Sequence, residues 1–269
     1  MPELPEVEMI RRYAEGTALR QPIHEVTAVH EGRMIPGGLA RLRETLLGHQ
    51  FTHTSRVGKF LFFHLDHGPV LMLHFGLTGD LRYHHDPADA PRFARVTLHM
   101  GQGARLSIAS QRKFSRLEVA PDVTSFRARR KLGVDALEIS EAAFAQAIQG
   151  RKAPLKAVLL EQKHFAGVGN WIADEMLYQT RLAPDICCHE LPDGALPALY
   201  QSLREILLTA IDREARYEAF PAHFMVQQRW EKGHCPRCQT QLVRIVVGGR
   251  GTYFCPRCQP SGAESSVLA

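Results

Sequence analysis

The chain has 269 residues, of which 45% are apolar, 33 are Lys or Arg and 28 are Asp or Glu, for a net charge of +5. That length admits two or three modest domains with a sizeable core, and the positive balance favours a polyanionic partner. No apolar run approaches a membrane span, and the acidic N-terminus lacks the apolar stretch of a secretion signal, so a cytoplasmic protein with no membrane partner is expected.

The chain starts Met1-Pro2-Glu3-Leu4-Pro5-Glu6-Val7-Glu8. Methionine before proline is normally trimmed, which would leave the Pro2 nitrogen a secondary amine. An α-amino group titrates near ~8, so part of it is unprotonated at neutral pH. Such an amine attacks a masked aldehyde to give an iminium. Glu3, beside it, is placed to move protons. Retention of Met1 would make that nitrogen an amide and remove the nucleophile. After Pro5 the apolar residues Val7, Ile10 and Ala14 share one helical face, and burying that face would anchor a terminus that otherwise frays.

From 22 to 120 the texture is strand-like. Short β-rich runs are expected at 51–65, 70–75, 93–100, 104–109 and 115–119, with turns at His67-Gly68 and Gly101-Gln102-Gly103. A brief helix is expected at 41–47. Lys59 falls inside the first run, where a lone strand lysine is ordinarily solvated. Basic residues cluster at Gln111-Arg112-Lys113-Phe114-Ser115-Arg116 and at Arg127-Ala128-Arg129-Arg130-Lys131. The pattern predicts an antiparallel β-sandwich or barrel over 1–125 and a linker over 126–137.

The hydrophobic period then changes to helical, and 138–228 reads as a helical domain. Ser140 caps one helix, Pro154 opens another and a long helix fills 197–213. Gly167-Val168-Gly169-Asn170 is a tight turn feeding a further helix. Asn170 there reads locally as an N-cap, with a phosphate clamp as the alternative.

In the last segment, 229–260, Cys235-x2-Cys238 and Cys255-x2-Cys258 are separated by sixteen residues. Two thiolate pairs on tight turns converge on one tetrahedral Zn²⁺, and four sulfur ligands make it a structural metal. Two strands are expected between the pairs, joined by Gly248-Gly249-Arg250-Gly251 with Arg250 at the tip. Six bases and a single acid fall between 229 and 258, the footprint of a nucleic-acid-binding finger. The adjacent Cys187-Cys188 pair reads as ordinary reduced thiols, and the small polar tail 261–269 as disordered.

The N-terminal octapeptide resembles that of the formamidopyrimidine-DNA glycosylase and endonuclease VIII family. So do Arg56-Val57-Gly58-Lys59 and His74-Phe75-Gly76-Leu77-Thr78-Gly79. Leu155-Lys156-Ala157-Val158-Leu159-Leu160 and Gly167-Val168-Gly169-Asn170 resemble its helix-two-turns-helix element, and 249–259 its terminal finger. The matches follow the family's order. The resemblance implies an α+β protein of three parts: β-sandwich with an N-terminal helix, helix-two-turns-helix domain and zinc ribbon. It implies a monomer that acts on damaged double-stranded DNA as a DNA glycosylase and AP lyase. Pro2 would attack C1′ and Glu3 would transfer protons. Lys59, Asn170 and Arg250 would hold phosphates, while Leu77, Arg112 and Phe114 would fill the gap left by an extruded nucleotide. For Leu77 and Phe114 the alternative is an ordinary core position.

Two departures stand out. Arg112-Lys113-Phe114 replaces the family's paired arginines before Phe. The stretch 215–230 is also too short for the Gly-rich loop that closes over an oxidised purine. Oxidised purines such as 8-oxoguanine remain the expected lesions, with an endonuclease VIII-like preference for oxidised pyrimidines as the alternative. A non-catalytic damaged-DNA binding protein would share the scaffold, and a zinc-ribbon transcription factor would share only the finger.

Overall fold

The computed structural model describes residues 1–29 and 31–260; the tail expected to be disordered lies outside them. The chain divides into two compact units, Met1–Lys131 and Leu132–Ala269.

The first unit begins with helix α1, Leu4–Thr17. Pro5 sits in its first turn, where a missing N–H costs nothing. Glu3 is the N-cap and Glu6 accepts the Glu3 N–H at 3.0 Å, half of a capping box. Leu4, Val7 and Ala14 are buried, so α1 lies on the sheets by its apolar face. Eight strands follow: β1 (Ile23–Ala28), β2 (Phe51–Val57), β3 (Phe60–Leu65), β4 (Val70–His74), β5 (Gly79–His84), β6 (Ala94–Met100), β7 (Arg105–Ser110) and β8 (Arg116–Ala120). Helix α2, Gly38–Leu46, interrupts them after β1.

The strands form two four-stranded antiparallel sheets, ordered β1-β6-β7-β5 and β2-β3-β4-β8. Val26, Leu98, Leu106 and Ile108 of one sheet share a core with Phe51, Leu61, Phe63, Leu73 and Leu117 of the other. This is the expected sandwich. Two strands, β1 and β5, were not among the sequence-based runs.

The stretch expected to be a linker opens inside a helix. Helix α3, Val123–Arg130, is capped by Asp122 and buries Phe126, whose ring meets Phe60 and Phe62 edge-on. The division between units falls after Lys131.

In the second unit β9 (Val134–Asp135) pairs in parallel with β10 (Phe165–Ala166). Around them stand α4 (Glu141–Ile148), α5 (Leu155–Leu160), α6 (Asn170–Gln179) and α7 (Ala195–Asp212). The Ser140 side chain caps α4 as expected, accepting from the Ala143 N–H. A last antiparallel hairpin, β11 (Val243–Val247) with β12 (Arg250–Phe254), packs against α6. Among the described residues no helix is long and apolar enough to cross a membrane.

Candidate functional site

The N-terminal end of α1 holds the proposed chemistry of the first unit. Pro2 is half-buried, Glu3 is buried and Met1 is exposed. The capping box and the buried Leu4 and Pro5 hold this end of the chain in one conformation, which a reactive terminus requires. Glu3 also sits at the positive pole of α1, which favours a carboxylate there.

The helix is tied to the strand that leads to Lys59. Glu8 pairs with Arg11 at 2.9 Å, Arg12 at 3.1 Å and the nearly buried Arg56 at 3.2 Å. Arg56 in turn donates to the Gly58 carbonyl at 3.0 Å. Burial raises the Glu8 pKa, but the three guanidiniums outweigh it and hold the group below the usual carboxylate range. Neither Glu8 nor Arg56 was singled out from the sequence for this role.

Lys59 does not lie in a strand. Gly58 and Lys59 form the two-residue turn between β2 and β3, and Gly58 takes φ 58°. The lysine is 6% exposed, not solvated. Its surroundings are rich in cations, although Arg116 among them is paired with Glu118 at 3.2 Å. His74 is pushed down to about 4 by burial and then by Lys59, Arg130 and Arg116. It is therefore neutral at physiological pH. Arg130 is lowered first by burial and then by Arg116. Crowded like charges of this kind suit an anion.

Leu77 and Phe114 are surface residues, 37% and 56% exposed, so neither is a core position. Their two loops touch. A Cβ built on Gly76 would fall 2.4 Å from the Phe114 carbonyl oxygen, and Gly76 has φ 59°. Ser115 Oγ donates to the Phe75 carbonyl at 3.0 Å, and the Gly76 N–H donates to His74 Nδ1 at 3.2 Å. Arg112 is exposed on the same turn as Phe114. The geometry thus gathers the three expected gap-filling side chains on adjoining loops of one unit.

In the second unit Asn170 is not an N-cap. Gly169 occupies that position and Asn170 opens α6. Its Nδ2 donates to the Gly251 carbonyl at 2.8 Å, and its buried Oδ1 meets no donor among the described residues. One turn further along the same face, Asp174 is fully buried. It pairs with Lys156 at 2.6 Å and Arg229 at 2.7 Å, and accepts the Tyr253 N–H at 3.2 Å. Lys156, itself fully buried, also donates to Thr252 Oγ1 at 2.5 Å. Helix α6 thereby fastens β12 just beyond Arg250. The signal for Lys156 and Asp174 was a charge on an otherwise apolar helical face, and sequence reasoning passed over it.

Arg250 is exposed and is the first residue of β12, not the tip. The turn is Gly248-Gly249, both at positive φ, the two-residue geometry that matches strand twist. Gly248 also abuts Ala157, whose Cβ would lie 3.1 Å from an added one.

The cysteines converge. Cys238 Sγ lies 3.5 Å from both Cys255 and Cys258, and Cys235 lies 3.8 Å from Cys258. All four sulfurs fall within 4.8 Å of one another. A tetrahedral ZnS₄ centre with ~2.3 Å bonds requires sulfur separations of about 3.8 Å, so the set fits zinc.

The stretch 215–230, expected to be too short for a closing loop, packs down on the protein. Phe220, Phe224 and Met225 are buried. The Met225 and Val226 N–H groups donate to Glu175 at 3.0 and 2.8 Å. Burial pushes Glu175 up to about 7, against those hydrogen bonds and that of Gln179.

Comparison with known proteins covers nearly the whole chain. Residues 1–117 match the model of the formamidopyrimidine-DNA glycosylase N-terminal domain, and 132–220 that of its H2TH domain. Residues 234–260 match a zinc finger found in FPG and IleRS, and the four cysteines within it hold one structural zinc ion. The chain is 35% identical over 280 residues to formamidopyrimidine-DNA glycosylase of Thermus thermophilus, covering 97% of this chain and 100% of that one. A relative of the same description from Arabidopsis thaliana is 30% identical over 96% of this chain and 71% of its own. The Lactococcus lactis Fpg bound to DNA with an abasic site superposes with a TM-score of 0.87 at 30% identity, over 96% of this chain and 100% of that one. The same protein bound to FAPY-dG DNA gives 0.86 at 29%, again over 96% of this chain and all of that one.

Proposed function

Since the chain belongs to the formamidopyrimidine-DNA glycosylase family of bifunctional DNA glycosylase/AP lyases, we propose that Pro2, freed of Met1, is its nucleophile and that oxidised purines in duplex DNA are its substrates. The observation that carries the reading is the placement of Pro2 at an anchored helix end, next to the buried carboxyl group of Glu3; removal of Met1 turns the Pro2 nitrogen from an amide into an amine. The Pro2 nitrogen bonds to C1′ as the glycosidic bond breaks, and its N–H proton goes to the departing base. Glu3 delivers a proton to the sugar ring oxygen as the ring opens to the iminium. Loss of the C2′ proton then expels the 3′ phosphate, and water releases the proline.

Lys59, within its cationic surroundings, serves a phosphate. Asn170 and Arg250 serve phosphates from the second unit, and the chain works as a monomer. The exposed Leu77, Arg112 and Phe114 occupy the space left by the extruded nucleotide. The relatives bound to abasic and FAPY-dG duplexes support the substrate class. The folded-down stretch 217–228 favours a second reading, oxidised pyrimidines, because it leaves no long loop to close over a purine.

Borohydride trapping on matched duplexes carrying 8-oxoguanine, a formamidopyrimidine, thymine glycol or an abasic site tests both. Adducts with the purine lesions that are reduced in Pro2→Gly support the first reading, and adducts only with thymine glycol support the second. Trapping only at the abasic site would remove the glycosylase claim for these bases.

A further inference from the structure

The β2–β3 hairpin carries four histidines unrelated to the chemistry above. His53 and His64 face each other across the strands with rings stacked 3.9 Å apart. Their nitrogens are taken by hydroxyls, His53 Nδ1 by Thr52 at 3.0 Å and His64 Nε2 by Ser55 at 2.8 Å. His49 and His67 stand at the open end of the hairpin, away from the Lys59 turn by about 20 Å, the length of a six-residue strand. Their rings are stacked 3.6 Å apart and both turn Nδ1 toward one carboxylate oxygen. Asp66 Oδ1 lies 2.9 Å from His49 Nδ1 and 3.4 Å from His67 Nδ1.

The backbone fixes this set. The Asp66 N–H donates to the Gln50 carbonyl at 3.2 Å, and the Leu65 N–H to the Pro69 carbonyl at 3.1 Å. The segment before β2 and the turn after β3 are therefore already joined. Gly68, at φ 110°, turns the chain so that His67 folds back beside His49. The three ligand atoms lie within 4.8 Å of one another, and all are half-exposed or exposed to solvent.

We propose that His49, Asp66 and His67 form a second metal site, for a divalent first-row transition cation. Two imidazole nitrogens and one carboxylate oxygen suit Zn²⁺, Ni²⁺ or Cu²⁺ and disfavour Mg²⁺ and Ca²⁺, which take oxygen ligands. Three protein ligands on an open surface leave the remaining positions to water. The cation takes the place of the His49–Asp66 hydrogen bond. It closes the open end of the hairpin that presents Lys59 at its other end. The His53–His64 pair supplies an internal contrast, stacked alike but without a carboxylate between its nitrogens.

The test is titration of the zinc-loaded full chain with Ni²⁺, followed by calorimetry and by elemental analysis of bound nickel and zinc. One equivalent of nickel is expected with no zinc released. Affinity falls by about tenfold or more in His67→Asn and in Asp66→Asn, since even outer-shell partners of a ligand are worth on the order of 10–100-fold. His53→Asn leaves it unchanged. These are surface positions, and circular dichroism checks that each variant is folded. Nickel uptake matched by zinc release, equal affinity in all variants, or no uptake up to about 1 mM, the weak end of specific protein metal sites, would each overturn the proposal.

Discussion

Replacing Gly76 by alanine perturbs the loops that carry Leu77 and Phe114 in two separable ways. The backbone at 76 has φ 59°, where an L side chain meets the following carbonyl at a cost of about 1–2 kcal/mol. The new Cβ would also lie 2.4 Å from the Phe114 oxygen and 2.5 Å from its carbonyl carbon. That neighbour is backbone and yields only if the 111–115 loop moves, an overpacking cost of about 1–3 kcal/mol. Gly103 is the matched control. It has φ 74° with nothing within 4 Å of an added Cβ, so Gly103→Ala bears only the first cost. Urea unfolding followed by far-UV circular dichroism should show Gly76→Ala losing about 2–5 kcal/mol and Gly103→Ala about 1–2. Affinity for an abasic-site duplex should drop in Gly76→Ala alone, because the clash displaces Phe114. Equal losses in the two variants, or undisturbed DNA binding by a folded Gly76→Ala, would refute the close-approach argument.

Three further outcomes are expected. Glu8 is held below its ordinary value of 4.5, so its contribution is present above that pH and is lost as pH falls through the folded value; wild type should lose more stability than Glu8→Gln on acidification from about pH 5. Glu175 is shifted the other way, to about 7, so its contribution is full below about 4.5 and fades as pH rises to 7; unfolding across that range should slope downward in wild type and flatten in Glu175→Gln. Both tryptophans, Trp171 and Trp230, lie in the second unit, so their fluorescence reports its unfolding; zinc removal should lower that transition by several kcal/mol, a fraction of the ~10–16 measured for structural zinc in peptides.

The elements that sequence makes legible are those specified locally. Ser140 announces α4 by its hydroxyl, and the cysteine spacing announces the metal, because few arrangements other than a tetrahedron use two such pairs. Lys59 was misplaced because Arg56-Val57-Gly58-Lys59-Phe60 carries no usual turn dipeptide; only the φ of Gly58 reveals the reversal. Strand β5 opens with Gly79-Asp80, residues poor in strand preference, and is held by pairing with β7 some thirty residues away. Asn170 in a Gly-rich turn looks like a cap, and the bond that redirects it ends on Gly251, 81 positions along the chain. Asp174 escaped notice for the same reason: its partners Lys156, Arg229 and Tyr253 are far apart in sequence.

The β11–β12 hairpin is restrained at both ends by unlike means. Cysteine sulfurs grip the end beyond Phe254, while Asn170, Asp174 and Lys156 grip Gly251, Tyr253 and Thr252 from α6 and α5. A strip held at two ends resists twisting as well as lifting, so the guanidinium of Arg250 inherits its bearing from a helix more than from the metal. Oxidation or chelation at the cysteines would then loosen the far end first, and the finger would fail by degrees, losing its anchor before its aim.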